Sequence, residues 1–223
     1  MSGLDLGLIG NCRINALIDR DGAIVWCCLP QPDGDPVFCG LLSPRAGEQA
    51  GRYAFELENQ VESEQSYLRN TAILVTVLRD AAGNAVRITD FCPRFVNYER
   101  VYRPVTLIRK VEPVSGQPRP RFDWGAHEPV VSFGSNHIRY VSPTAALRLT
   151  TDAPLTYVAE EVPFIVDCPL HFVLGSDESL TVPLAAMVDD VLDRTERYWT
   201  DWVRSLSIPF EWQDAVIRAA IGL

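Results

Sequence analysis

The sequence predicts a mainly β protein, in which a large antiparallel β-sandwich is followed by helices at the C-terminal end. Between about residues 15 and 183, short strand-like runs alternate with clusters of Gly, Pro, Asn and Asp, and no helix-length apolar pattern intervenes. From residue 184 onward, apolar residues instead recur at helical spacing. The chain is therefore predicted to divide into a β-sandwich domain, residues 1–183, and a helical segment, residues 184–223.

The strands are expected where apolar residues fall near alternate positions between turn signals. The first two, residues 15–19 and 23–28, flank Asp21-Gly22, a dipeptide typical of short hairpin turns. The pair at residues 71–79 and 85–90 repeats this arrangement around a loop at residues 80–84. Further strands are predicted at residues 52–57, 105–111, 130–133, 137–141, 145–150, 155–160 and 170–174.

Two helices are predicted after the sandwich. The first covers about residues 184–206, and its apolar spacing predicts one side packed against the sandwich. The residues expected on that side are Leu184, Val188, Val191, Tyr198, Trp202 and Leu206. Pro209 interrupts the pattern, and a second helix is predicted from Glu211 to Leu223. Its last turns are apolar nearly all round, so they should pair with a second copy, fold back or fray. We expect concentration-dependent dimerisation or disorder after Pro209.

The composition and the cysteines exclude several classes of function. The 223 residues carry a formal net charge of −9, from 29 acidic and 20 basic side chains. This balance argues against binding to nucleic acid or to an anionic membrane surface. No apolar run approaches the roughly 20 residues of a spanning helix. The six cysteines form no CxxC pair, and no signal peptide is visible. We therefore predict reduced, mostly buried thiols, a cytoplasmic location and no metal site.

The residues alone indicate no catalytic constellation and no cofactor. The close acid pairs at positions 33/35, 160/161 and 189/190 are interpreted as solvated surface, because a general acid needs a desolvated carboxyl group. Asp90, at a strand end, is expected to cap backbone amides of the adjoining turn. Trp124, in a turn-rich segment, is the best candidate for an exposed aromatic ring that stacks on a sugar. A packing role for this tryptophan is the alternative.

A series of motifs runs in order along the whole chain. It opens with Leu8-Ile-Gly-Asn-Cys12, continues with residues 16–26, and closes with Tyr198-Trp-Thr-Asp-Trp202 and residues 215–223. Between them stand Cys28-Leu-Pro30, Tyr67-Leu-Arg-Asn-Thr-Ala-Ile-Leu74, Asp90-Phe-Cys-Pro93 and Arg121-Phe-Asp-Trp-Gly125. Their order and spacing resemble the N-terminal region of bacterial family 15 glycoside hydrolases, which include glucoamylase-like and trehalase-like enzymes. The chain departs from that family at Asn11-Cys12-Arg13, where the family commonly has Asp-Cys with a histidine.

The resemblance implies a β-supersandwich, a linker helix and an (α/α)6 catalytic barrel, of which this chain would hold only a truncated first helix. Enzymes of this family hydrolyse α-glucosidic bonds with inversion, using two glutamates that lie in the barrel. The chain would then be a non-catalytic N-terminal domain without catalytic residues of its own. Its partner would be its own barrel, and it would meet trehalose or an α-glucan through the parent enzyme. An independent carbohydrate-binding module is the alternative function, and a protein-interaction sandwich unrelated to sugars is a third possibility.

The resemblance also directs attention to the loop at residues 30–38. In the resembled enzymes the sandwich packs against the barrel, and such a loop can reach the rim of the active site. Gln31, Asp33 and Asp35 are therefore candidates, together with Trp124, for the substrate rim or the domain interface. A plain surface turn is the alternative interpretation of this loop.

Overall fold

The computed structural model describes residues 5–42, 51–125, 130–141 and 146–222. The strands follow one another as β1 Gly7–Gly10, β2 Asn15–Ile18, β3 Ile24–Cys28, β4 Pro36–Phe38, β5 Tyr53–Leu57, β6 Gln60–Tyr67, β7 Leu74–Asp80, β8 Ala85–Phe91, β9 Phe95–Asn97, β10 Arg100–Tyr102, β11 Thr106–Ser115, β12 Pro120–Trp124, β13 Val130–Phe133, β14 His137–Val141, β15 Ala146–Thr151 and β16 Leu170–Ser176. The helices are α1 Leu155–Ala159, α2 Leu184–Arg204 and α3 Gln213–Gly222. None of these helices is long and apolar enough to cross a membrane.

Two antiparallel sheets form the sandwich. The smaller sheet has the strand order β1-β2-β3-β5-β12, with β4 paired to β3. The larger sheet has the order β13-β14-β15-β16-β11-β8-β7-β6. Strands β9 and β10 form a separate two-stranded hairpin. This arrangement confirms the predicted mainly β fold with helices at the C-terminal end. Two predicted boundaries lie outside the described residues. They are the end of the second helix at Leu223 and the start of a strand at residue 145.

Aromatic side chains from both sheets meet in the core between them. Phe55 and Phe122 of the smaller sheet contact Phe172 of the larger one, with ring centroids 4.8 and 5.9 Å apart. Trp124 stacks on Tyr140 across the same interface at 4.1 Å. Large rings bury much apolar area and prefer defined relative orientations, so this cluster sets how the two sheets face each other.

An ion pair lies inside this core, where the sequence predicted a cap. Asp90 accepts hydrogen bonds from Arg109 at 2.7 and 3.1 Å, and both residues are fully buried. The prediction that Asp90 caps the adjoining turn is therefore wrong. The two residues are cross-strand neighbours of β8 and β11 whose side chains point between the sheets. There Arg109 also donates to the backbone oxygens of Tyr53 and Gly22, which belong to the opposite side of the sandwich.

Helix α2 packs against the outer face of the larger sheet. Val188, Val191 and Thr195 are buried there, and Ile108 and Val173 of the sheet lie beneath the helix. The buried side of α2 differs from the prediction, because Trp199 and Val203 are buried whereas Tyr198, Trp202 and Leu206 lie at its margin. Thr195 Oγ1 accepts a hydrogen bond from the backbone N–H of Arg94, and this contact turns the Thr195 side of the helix inward.

Several segments differ from the predicted strands, and five short strands, β1, β4, β9, β10 and β12, were not predicted. Residues 155–160 were expected to be a strand, but residues 155–159 form the short helix α1. Pro154 precedes this helix, and its carbonyl accepts hydrogen bonds from the backbone N–H groups of Tyr157 and Val158. Leu155 and Val158 are three residues apart, so one turn of helix brings both against the core. Strand β6, by contrast, was not predicted, because it is a polar edge strand with little apolar alternation.

Candidate domain-interface site

The turn between β1 and β2 is fixed by the fully buried side chain of Asn11. Asn11 Oδ1 accepts hydrogen bonds from the backbone N–H groups of Arg13 and Ile14, at 3.0 and 3.1 Å. Its Nδ2 donates to the carbonyl oxygens of Pro93 and Pro104, at 3.0 and 2.9 Å. One side chain thus satisfies two donors and two acceptors, so the turn has a defined position relative to the segment that carries β9 and β10.

Two arginines hold the same turn from outside. Arg94 donates to the carbonyl oxygen of Asn11 at 2.6 Å, and Arg103 donates to that of Cys12 at 2.9 Å. The guanidinium of Arg94 also lies 5.1 and 5.5 Å from the ring centroids of Tyr198 and Trp199 on α2. The side chain of Arg94 therefore connects the turn to α2. Cys12 has a positive φ of 63°, and its side chain is exposed at the tip of the turn.

The loop at residues 30–35 lies beside this turn, at the same end of the sandwich. Gln31, Asp33 and Asp35 are all exposed, and the backbone N–H of Gly34 donates to the carbonyl of Gln31 at 3.1 Å. Burial raises the pKa of the neighbouring Cys28 thiol, and the charges of Asp35 and Asp33 raise it further. The structure thus brings three of the four predicted site residues together on one accessible loop.

A depression of about 260 Å³ joins the turn, the loop and the last helix. Cys12 and Arg13 line it from the turn, Pro32 from the loop, Trp199 from α2 and Ile221 from α3. Four segments of the chain therefore form one concave surface. Sequence reasoning singled out the loop but missed the turn, although the departure at Asn11-Cys12-Arg13 was the signal that marks it.

Trp124 does not belong to this surface. It is half-buried, with its ring stacked on Tyr140 and edge-on to Phe38 at 4.9 Å. Its backbone N–H donates to Glu161 at 3.0 Å, and its indole nitrogen is buried without a partner among the described residues. The structure therefore agrees with the packing interpretation of Trp124 and gives no support to its candidacy as a sugar-stacking ring.

The described residues offer no pair of carboxyl groups suited to hydrolysis. Within the described ranges, Asp90 is the one fully buried carboxyl group, and it is paired with Arg109. Burial raises the pKa of Asp90, and the adjacent Arg109 opposes that shift. Asp33 and Asp35 are exposed, as the solvated-surface interpretation predicted. An inverting hydrolase needs a positioned acid and a positioned base on opposite sides of one bond, whereas the buried carboxyl group of Asp90 is held in an ion pair.

Helix α3 folds back onto the sandwich along one edge. Ile217 and Ile221 are buried in a small cluster with Ala72 and Trp199. The helix begins after an exposed segment in which Phe210 and Trp212 are 94% and 80% exposed. Of the predicted outcomes for this region, folding back is the one observed, and the expected disorder after Pro209 is wrong for the described residues.

Comparison with known proteins places this domain in a family. The family described as "Trehalase-like, N-terminal" matches residues 5–168, which cover most of the sandwich. The chain belongs to this trehalase-like N-terminal family. The match confirms the resemblance noted above at the level of trehalase-like enzymes.

Relatives of this trehalase-like domain share sequence with it over almost its full length. Trehalase 1 of Sulfolobus acidocaldarius is 28% identical over 225 residues, which are 98% of this chain and 36% of that protein. The trehalase of Thermoplasma volcanium is 22% identical over 97% of this chain and 36% of its own length. A trehalase of Mycolicibacterium smegmatis is 31% identical over 80 residues, or 35% of this chain. The chain thus spans about a third of the length of the first two relatives. No solved structure matches it significantly.

Proposed function

We propose that this chain is the non-catalytic N-terminal domain of an inverting α-glucosidase of the glucoamylase and trehalase kind, in glycoside hydrolase family 15. Its role is to support a catalytic barrel and to shape substrate access to it. The observation that carries the proposal is the alignment length: almost the whole chain aligns with about 36% of the length of proteins named trehalases. The chemistry is consistent with it, since the described residues hold no acid–base pair for glycoside hydrolysis.

The surface that best fits contact with the catalytic part is the end formed by the 30–35 loop, the Asn11 turn and α3. It is concave, it carries the exposed carboxylates of Asp33 and Asp35, and exposed apolar side chains adjoin α3. Phe210 and Trp212 expose large rings, and groups of this kind mark interaction surfaces in proteins. Gln31, Asp33 and Asp35 remain our candidates for the rim or the domain interface, and trehalose or an α-glucan is the proposed substrate of the whole enzyme.

The proposal is tested by comparing the 223-residue chain with a longer protein that includes whatever coding sequence follows residue 223. We expect the chain alone to release no glucose from trehalose or maltooligosaccharides above a buffer blank, and the longer protein to release it. In the longer protein, Asp33→Asn and Asp35→Asn should lower kcat/KM or thermal stability. Glu64→Gln, an exposed carboxylate change on β6, is the matched control. Glucose release by the chain alone, or a longer protein inactive on both substrates, contradicts the proposal.

A further inference from the structure

A cleft of about 370 Å³ lies between the outer face of the larger sheet and α2, away from the 30–35 loop. Its floor is apolar and consists of Ile108 and Val173 from the sheet with Met187 and Val191 from the helix. Tyr102 of the β9–β10 hairpin forms one wall and is 45% exposed. This volume lies at the small end of the range for small-molecule sites, which suits a compact ligand rather than a polymer.

The sheet contributes a row of residues that shapes the cleft. Gly175 of β16 lies between Thr106 of β11 and Arg148 of β15 in the same cross-strand row. A Cβ atom on Gly175 would lie 2.8 Å from the carbonyl oxygen of Val105, so the row tolerates only glycine there. The missing side chain leaves a hollow between a hydroxyl and a guanidinium group. Thr150, which is buried and pairs with Val173 two rows further along, adds another hydroxyl-bearing side chain to the cleft.

The charged groups of the cleft are oriented and balanced. Arg148 donates to Asp177 at 3.2 Å and to Ser179 Oγ at 3.0 Å, so its guanidinium is fixed before any ligand binds. Arg13 reaches the cleft from the Asn11 turn, and Glu178 lines it from the segment after β16. Arg148 is thus already paired with Asp177, which Arg139 shares, and the lining residues Arg13 and Glu178 carry opposite charges, so the cleft favours neither a strongly anionic nor a strongly cationic ligand.

We propose that this cleft binds a neutral sugar of one or two pyranose rings. A pyranose has an apolar C–H face and a rim of hydroxyl groups, and the cleft has an aromatic surface for the first and polar groups for the second. The exposed ring of Tyr102 suits the C–H face, and its position is supported by Phe95, whose ring centroid is 4.9 Å away. The guanidinium groups of Arg13 and Arg148 and the hydroxyl of Thr106 suit the sugar hydroxyls. This inference goes beyond the proposed function and does not depend on it.

The test is an NMR titration of the ¹⁵N-labelled 223-residue chain with trehalose and with maltose, up to about 50 mM. We expect saturable shifts for at least one of the sugars, with a Kd of about 0.1–10 mM, centred on the amides of Thr106, Thr150 and Gly175. Sorbitol, which has hydroxyl groups but no ring, should give no saturable shift at these amides. Absence of saturation for both sugars, shifts centred elsewhere, or an equal response to sorbitol would overturn the inference.

Variants on one hairpin provide a matched pair. Tyr102→Ala should weaken sugar binding at least about fivefold, because it removes the stacking face. Tyr98→Ala removes the 93% exposed ring at the tip of the same hairpin, outside the cleft, and should change the Kd less than about twofold. Equal weakening by both variants would refute the assignment of the site. Since this readout is binding by the chain alone, it is separate from hydrolysis by the longer protein, so either proposal can fail without the other.

Discussion

Replacing Arg109 by methionine tests what holds the two sheets together. The guanidinium joins Asp90 at 2.7 Å, the carbonyl of Tyr53 at 2.6 Å and the carbonyl of Gly22, and it lies 4.7 Å from the centroid of the Tyr53 ring. Methionine keeps most of the aliphatic length but removes the charge and every donor. The Asp90 carboxyl group then stays buried without its partner, since both residues are fully buried.

The expected loss is about 3–5 kcal/mol in the free energy of unfolding at pH 7, which is typical when one partner of a buried ion pair is removed. For a chain of this size, the melting temperature should fall by about 6–20 °C. Urea unfolding followed by tryptophan fluorescence measures the difference. Arg87→Met, at an exposed position of β8, is the matched control and should lie within about 0.5 kcal/mol of the parent chain.

The pH dependence gives the sharper readout. Burial raises the pKa of Asp90, and Arg109 opposes this shift. Without Arg109 the pKa should rise further, so Asp90 of the folded variant takes up a proton that the unfolded chain, with a carboxyl pKa of about 3.9, does not bind at neutral pH. Stability of the variant therefore falls as pH rises, and its deficit should be larger at pH 8 than at pH 5. A deficit below about 1 kcal/mol at pH 7, or one that does not change with pH, would refute this reasoning.

Three further outcomes are expected. Trp199→Ala should lower the free energy of unfolding by about 3–5 kcal/mol, because Trp199 is only 3% exposed. Trp202→Ala should cost less than half of that, because Trp202 lies at the margin of the buried side of the helix. Equal losses for the two variants in urea unfolding would contradict this packing. Burial alone would raise the pKa of Glu56, but Arg121 and Arg52 lower it overall. The ionised Glu56 therefore stabilises the fold above the unfolded carboxyl pKa of about 4.3, and this stabilisation is lost as pH falls through the folded pKa. In urea unfolding, the difference in free energy of unfolding between the parent chain and Glu56→Gln should shrink below about pH 4.3, and a difference that stays constant with pH would argue against this reasoning. Sedimentation should show concentration-dependent dimers through the exposed Phe210 and Trp212, weakened by Phe210→Ser, and a strictly monomeric profile would exclude them.

The sequence predicted those elements whose signals are local. The hairpin of β2 and β3 follows from its Asp21-Gly22 turn, and β7 with β8 follows from apolar runs around residues 80–84. Helix α2 follows from its apolar spacing. Its rotation about its own axis could not be predicted from that spacing, because Tyr198, Trp199 and Trp202 are all apolar and compete for the buried side. The contact between Thr195 and Arg94, 101 residues apart, is information that no local pattern contains.

The candidate site could be predicted only in part, again because local patterns do not contain contacts between residues distant in sequence. Gln31, Asp33 and Asp35 became candidates through the family resemblance, and proline and glycine correctly marked their loop as exposed. Trp124 was misjudged because the glycine beside it suggests exposure, whereas Tyr140 and Phe38, which cover its ring, come from other parts of the chain. Three free cysteines, Cys27, Cys28 and Cys92, are buried as expected, but Cys12 and Cys168 are exposed. Exposure of a single side chain depends on neighbours that are distant in sequence.

The side chain at position 11, where the chain departs from the resembled family, connects several segments through hydrogen bonds. The family 15 glycoside hydrolases that the sequence resembles commonly have an aspartate where this chain has Asn11. Here Nδ2 of Asn11 donates to two carbonyl oxygens, those of Pro93 and Pro104, while Oδ1 accepts two backbone N–H groups. A carboxylate would keep both acceptor contacts but would place a negative oxygen against two carbonyl oxygens. The amide therefore suits this packing, in which the segments at 93 and 104 close directly over the turn. Arg94 and Arg103 bind the same turn, Asn11 Oδ1 holds the backbone N–H of Arg13, and Arg13 lines both the depression of about 260 Å³ and the cleft under α2.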